Sequence, residues 1–130
     1  FLFLPLTINN SCDCLVSASS AEGFGLPLLE ALAARMIVVA PNFSGHKDFL
    51  TDENSLLYDV RMGKADKRYQ YWRPSPKATT SYPDTDSLAE AMLCAYKDNK
   101  GLHLKFDRNM KNTIEKFTWA NAAKKILEIQ

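Results

Sequence analysis

Cys12-Asp13-Cys14-Leu15-Val16-Ser17, then Ala21-Glu22-Gly23-Phe24-Gly25-Leu26-Pro27, then Met36-Ile37-Val38-Val39-Ala40, stand in that order in the first third of the chain and decide its fold. The first stretch is short and largely apolar, with the length of a buried strand. The second holds two glycines, which let the backbone turn tightly, and a proline suited to the first position of a helix. Leu29, Leu32, Ala33 and Met36 recur at helical spacing and predict a helix over residues 28–34. The third stretch predicts a strand over 36–40 that Pro41 stops. Strand, glycine turn, helix and strand make a βαβ unit when the strands are parallel, and the helix then covers a sheet that is apolar on both faces. Ligands of such folds sit at the carboxyl ends of the strands.

Working outward, Asn9-Asn10-Ser11 is a turn cluster ahead of the first strand. Asn42-Phe43-Ser44-Gly45-His46 forms a loop at the carboxyl end of the second, residues 47–50 suit one helical turn, and 55–60 read as a third strand. The expected fold is therefore α/β, with a Rossmann-like parallel sheet flanked by helices. Residues 61–83 sustain neither period and read as an irregular insertion, rich in Lys, Arg and aromatics. Helices follow over about 87–130. Ser87-x-x-Glu90 has the form of a capping box, with Leu88, Ala91, Met92 and Ala95 on one face. A second helix carries Met110, Ile114 and Phe117. The last carries Trp119, Ala122, Ala123, Ile126 and Leu127 on one stripe, with Thr118 as its cap.

The 130 residues suffice for one small domain, and 46% hydrophobic with 24% charged residues is ordinary globular composition, which excludes disorder as the dominant state. Sixteen basic against fifteen acidic side chains leave a net charge of +1, so no global field draws the chain to nucleic acid or an anionic membrane. No apolar run reaches the ~20 residues that cross a bilayer. A cytoplasmic location is the expectation. Cys12, Cys14 and Cys94 cannot all pair, and Cys12-x-Cys14 is not a metal-ligand spacing; the two read as small apolar residues on one side of a strand. The chain starts at Phe1 rather than Met, which suggests a piece of a longer protein.

Chemistry concentrates in the glycine turn and its helix. Glu30 is the only charged residue between Gly23 and Ala34, and a carboxylate placed in an apolar helix needs a partner. A ligand offering hydroxyl groups supplies one. Gly23, Phe24, Gly25 and Leu26 offer backbone N–H groups at a helix N-terminus, which favours phosphate, and Glu22 stands in the same loop. The set suits a phosphorylated sugar carrying a ribose. The alternative is a surface charge on a half-exposed helix beside a plain turn.

The stretch Glu22-Gly-Phe-Gly-Leu-Pro-Leu-Leu-Glu30-Ala-Leu-Ala resembles the Glu-x(seven)-Glu signature of the family four retaining glycosyltransferases, which have the two-domain GT-B fold. The strands on either side of it, Ser44-Gly45-His46-x-Asp48-Phe49-Leu50, Glu53-Asn54-Ser55-Leu56-Leu57, and Phe117-Thr118-Trp119 are similar to neighbouring segments of that family. The resemblance implies that the chain is part of the C-terminal, nucleotide-sugar-binding domain. It further implies that Glu22 reaches the transferred sugar near the reacting centre, that Glu30 binds the ribose hydroxyls, and that the amides of Gly23, Phe24, Gly25 and Leu26 hold the sugar and diphosphate. Transfer would need neither cofactor nor metal. The implied partners are a nucleotide-sugar donor, a glycan or lipid acceptor, and an acceptor-binding domain lying before Phe1; no nucleic acid is expected, and peripheral association with the cytoplasmic face of a membrane stays open. A non-catalytic nucleotide-sugar-binding module is the rival reading. The family usually has glycine where this chain has Arg35, so Arg35 must adopt a helix-ending conformation that glycine takes easily.

Other residues carry blander readings. His46 reads as structural or solvated, with a donor-phosphate contact as the alternative, and His103 as a helix-flanking residue. Trp119 reads as core or as a contact with the absent domain. Lys67-Arg68-Tyr69-Gln70-Tyr71-Trp72-Arg73 mixes basic and aromatic residues as single-strand binders do, but a solvated loop is the commoner outcome, with an acceptor-side role next.

Overall fold

The computed structural model describes residues 11–65 and 79–128. In chain order the elements are β1 (Cys14–Val16), α1 (Leu26–Ala33), β2 (Ile37–Pro41), a 3-10 turn (Gly45–Asp48), β3 (Leu56–Tyr58), β4 (Val60–Lys64), β5 (Thr79–Pro83), α2 (Thr85–Lys97), α3 (Asn99–Lys116) and α4 (Trp119–Glu128). β2 lies between β1 and β3 and runs parallel to both, with Leu15 opposite Val38 and Ala40 opposite Leu57. All five of its residues are buried, as in a strand covered on both faces, and α1, α2 and α3 pack against it. The fold is thus mixed α/β, with a Rossmann-like parallel sheet flanked by helices.

Local chemistry explains each boundary of α1. Gly25 takes a left-handed conformation (φ 85°, ψ 48°) at the N-cap and Pro27 follows in the first turn, where a missing N–H costs nothing. Leu28, Ala31 and Leu32 form the buried stripe. At the other end Arg35 sits at φ 61°, the Arg35 N–H donates to Leu32 and the Met36 N–H to Ala31. These two bonds are a Schellman ending with arginine in the seat that glycine normally takes, as the family resemblance implied. Along α3, Leu102, Phe106 and Met110 bury a stripe one turn apart and join the core built around β2. Each such burial contributes about 1.5–3 kcal/mol.

Several boundaries differ from the sequence expectations. The strand expected over 55–60 divides at Asp59: β3 stays in the parallel sheet while β4 leaves it. Residues 61–83 are not irregular throughout, because β4 and β5 pair as an antiparallel hairpin, Val60 opposite Pro83 and Lys64 opposite Thr79. The Tyr82 hydroxyl donates to the Lys64 carbonyl, and the basic-aromatic run 67–73 lies outside the described residues. α2 starts earlier than the capping box suggests: the Asp84 carboxylate accepts from the Asp86 and Ser87 amides, satisfying two orphan donors of the first turn, while Ser87 Oγ accepts from the Asp59 N–H. Met92, expected on the packed face, is exposed.

Cys12 is exposed and outside β1, Cys14 is half-buried, and with Cys94 all three thiols are free. His103 lies within α3 rather than beside a helix. Thr118 caps α4 as expected, its Oγ1 accepting from the Asn121 N–H. Trp119, however, is not core: it is 82% exposed, and α4 buries no residue. Among the described residues no helix is long and apolar enough to cross a membrane.

Candidate functional site

The loop from β1 to α1 is held by side chains from three other segments. The Tyr58 hydroxyl donates to the Ser17 carbonyl at 2.9 Å. Ser81 Oγ (2.8 Å) and Thr80 Oγ1 (3.3 Å), both on β5, donate to the Ser20 carbonyl. Ser44 Oγ then closes on the Glu22 backbone from both sides, accepting from its N–H at 2.8 Å and donating to its carbonyl at 2.7 Å, and the Gly45 N–H donates to the same carbonyl. A Cβ on Gly45 would fall on the Gly23 carbonyl oxygen, so only glycine allows this approach. Ser44 itself is held at φ 82°, a conformation costly for a residue with a Cβ and kept only where its surroundings over-determine it.

This clamp sets out the predicted residues along one path. Glu22 is half-buried and Gly23 exposed. Phe24 turns its ring inward, 5.1 Å from Phe49 and 5.9 Å from Phe117, with those two 5.7 Å apart. Gly25 is buried, since its left-handed turn backs onto His46, whose Cβ would lie 3.1 Å from any Cβ at position 25. Leu26 opens α1, and the carbonyl of Gly25 already accepts from the Leu28 and Leu29 amides. The amides of Gly23, Phe24, Gly25 and Leu26 have no acceptor among the described residues. Those of Gly25 and Leu26 are among the unsatisfied donors that a helix N-terminus carries, and those of Gly23 and Phe24 lie in the loop just ahead of it.

Glu30 lies one turn into α1, half-buried. With Phe24, Leu26 and Leu29 it lines a groove of about 1230 Å³, whose other wall includes Phe117 and Asn121. Glu22, Gly23 and Gly25 do not line it. The structure thus brings Phe24, Leu26 and Glu30 to one groove and leaves Glu22, Gly23 and Gly25 in the adjoining loop. Neither Glu22 nor Glu30 has a partner for its carboxylate among the described residues. Two free carboxylates flanking a run of free amides can accept hydroxyl donors on either side of a bound anion.

His46, open between a structural role and a phosphate contact, has its ring in the interior: it is fully buried and its Nε2 lies 2.7 Å from the Pro41 carbonyl. Burial pushes the Tyr58 phenol up from its ordinary value, and burial, with the Asp13 charge beside it, does the same to the Cys14 thiol. Both stay in their neutral forms at pH 7. Sequence reasoning missed the clamp residues Ser44, Gly45, Tyr58, Thr80 and Ser81 as a set. The only local sign was Ser44-Gly45 at the carboxyl end of β2. No group of three or more His, Cys, Asp or Glu placed to hold a metal occurs among the described residues.

Residues 4–66 match the family model described as glycosyl transferases, group 1. The matched stretch runs from before β1 through β4 and so contains the glycine loop, α1 and the Ser44-Gly45 clamp. It supports a glycosyltransferase domain, and with it a sugar donor and an acceptor as partners. No match is found among curated proteins.

Proposed function

We propose that the chain is the nucleotide-sugar-binding part of a retaining GT-B glycosyltransferase, which moves a hexose from a nucleotide-sugar donor to a glycan or lipid acceptor. The observation that carries the reading is the line of amides from Gly23 to Leu26, unpaired among the described residues, with a carboxylate at each side that likewise has no partner among them. In this assignment the amides and the positive end of α1 hold the diphosphate, an interaction of about 0.3–1 kcal/mol where exposed and more when enclosed. Glu30 accepts the ribose hydroxyls from the groove side. Glu22, held at its backbone by Ser44 and Gly45, faces the transferred sugar near the anomeric carbon. Fixed donors aimed at the leaving diphosphate stabilise the charge that develops as the glycosidic bond breaks, so the assigned residues act without a bound metal. The acceptor is taken up by a separate domain, and a lipid acceptor would bring the protein to the cytoplasmic face of a membrane.

The test is isothermal titration of UDP, GDP and ADP, and of their hexose conjugates, into the full-length protein and its Glu30→Ala variant. One nucleotide series binds, and the substitution weakens it by about 10- to 150-fold, the equivalent of charge-assisted hydrogen bonds of ~1.5–3 kcal/mol. Binding without turnover of any donor conjugate would establish a nucleotide-sugar-binding module instead. A folded protein that binds none of these nucleotides would overturn the transferase reading.

A further inference from the structure

His46 stands where the end of β2, the clamp and the glycine turn meet. Its Nε2 lies 2.7 Å from the Pro41 carbonyl, which ends β2 and also accepts from the Phe43 N–H. A carbonyl only accepts, so Nε2 carries a proton and donates it. Its Nδ1 is buried and has no hydrogen-bond partner among the described residues. Its Cβ lies so close to Gly25 that a Cβ built there would be 3.1 Å away, and its carbonyl accepts from the Phe49 and Leu50 amides.

Two departures from low-energy structure fall close together beside the glycine loop: Ser44 at positive φ and, two residues on, a buried ring nitrogen with no partner among the described residues. An apolar side chain of the same size would fill the space without the orphaned atom. What it would lack is the Nε2–H, the bond that ties the turn after β2 to the end of the strand. Strain of this kind persists where position matters more than stability.

We propose that His46 is a positioning residue of the donor site: as the Nε2–H tautomer it fixes the Gly45–Asp48 turn against β2, and through Ser44 and Gly45 it holds the Glu22 backbone and the Gly25 turn in place. This rests on the donor-site assignment above for its catalytic consequence, but not for its structural one. His46 touches neither sugar nor phosphate; it acts through Glu22.

The test uses the full-length protein with His46→Gln, whose amide nitrogen reaches as far as Nε2, and His46→Leu, which fills the cavity without a donor. Three readouts are taken: kcat and KM for the donor, hydrogen exchange of the Glu22 and Gly45 amides, and the ¹⁵N signature of the ring in the parent. His46→Leu is expected to lower kcat at least tenfold, to change donor KM less than threefold, and to speed exchange at both amides at least tenfold. His46→Gln restores most of each loss. The parent ring reads as the Nε2–H form.

Three results would each overturn the proposal: a His46→Leu protein with parent exchange rates at Glu22 and Gly45, a His46→Gln protein as impaired as His46→Leu, or a parent ring protonated at Nδ1 alone. If His46→Leu does not fold, the glutamine variant and the ring signature decide. Absence of turnover in the parent overturns the transferase reading alone, because the exchange and tautomer measurements still judge His46.

Discussion

Arg35 gives the sharpest test of how α1 ends. It occupies the left-handed seat of the Schellman ending at φ 61°, where a residue with a Cβ costs roughly 1–2 kcal/mol that glycine avoids. Against this stands its ion pair with Asp107, between side chains that are 56% and 33% exposed. Such a pair contributes at most about 0.5 kcal/mol after screening, and Asp107 keeps Lys111 at 3.0 Å when Arg35 is removed. Arg35→Ala loses the pair and keeps the strain, so it is expected to lose about 0.5 kcal/mol. Arg35→Gly loses the pair and sheds the strain, and after the added freedom of its unfolded chain it gains about 0.5 kcal/mol. The gap of about 1 kcal/mol corresponds to roughly 4 °C in Tm for a domain of this size. Urea unfolding followed by circular dichroism, with a common m-value, measures it. At 1 M salt the loss in Arg35→Ala should fade while the glycine–alanine gap stays. Ala89→Gly, on the exposed face of α2, supplies the opposite sign, a loss of about 1 kcal/mol. An alanine variant at position 35 as stable as the glycine variant would refute the reasoning.

Gly45→Ala is expected to destabilise by about 1–3 kcal/mol, since the added methyl would collide with the Gly23 backbone; the Glu22 and Gly23 amide resonances should move most, and unchanged shifts there would contradict the clamp. Asn54 is buried, donating to the Phe49 carbonyl and Thr113 Oγ1 and accepting from the Thr51 N–H, so Asn54→Ala should lose about 2–4 kcal/mol in urea unfolding. Tyr58 has its folded pKa raised above the ordinary 10.0, so its contribution is complete below about pH 10 and is lost as pH rises through the folded value. Tyr58→Phe should cost about 1 kcal/mol at pH 7, from the bond to Ser17, and flatten the decline in stability above pH 10. A variant with the parent's alkaline slope would show that Tyr58 does not govern it.

The parts of the fold legible in the sequence are those with local causes. The apolar run of β2 and the glycine-proline punctuation before α1 are each written within a few residues, and the structure has both; the left-handed seat of Arg35 followed only from the family resemblance, because arginine itself gives no sign of it. β4 and β5 were not legible because their residues are mostly polar or exposed and their pairing spans residues not adjacent in the chain. The true cap of α2 lay three residues ahead of Ser87, where Asp84 follows a proline that ends β5. At the site, Glu30 stood out as a lone charge in an apolar helix. The clamp did not, because Ser44 meets Glu22 across 22 positions, and hydrogen bonds of that range leave no period to read.

The β4–β5 hairpin also makes the fold easy to extend. Its ladder closes at Lys64 opposite Thr79, so the two ends of whatever joins them are held one strand spacing apart, about 5 Å. The hydroxyls that tie the hairpin to Ser20 sit further down β5, at Thr80 and Ser81. Peptide spliced between those ends adds loop entropy slowly, about 0.6 kcal/mol for each doubling of length. A graft that enters after Lys64 and leaves before Thr79 therefore spares the hydroxyls that anchor the loop carrying Glu22.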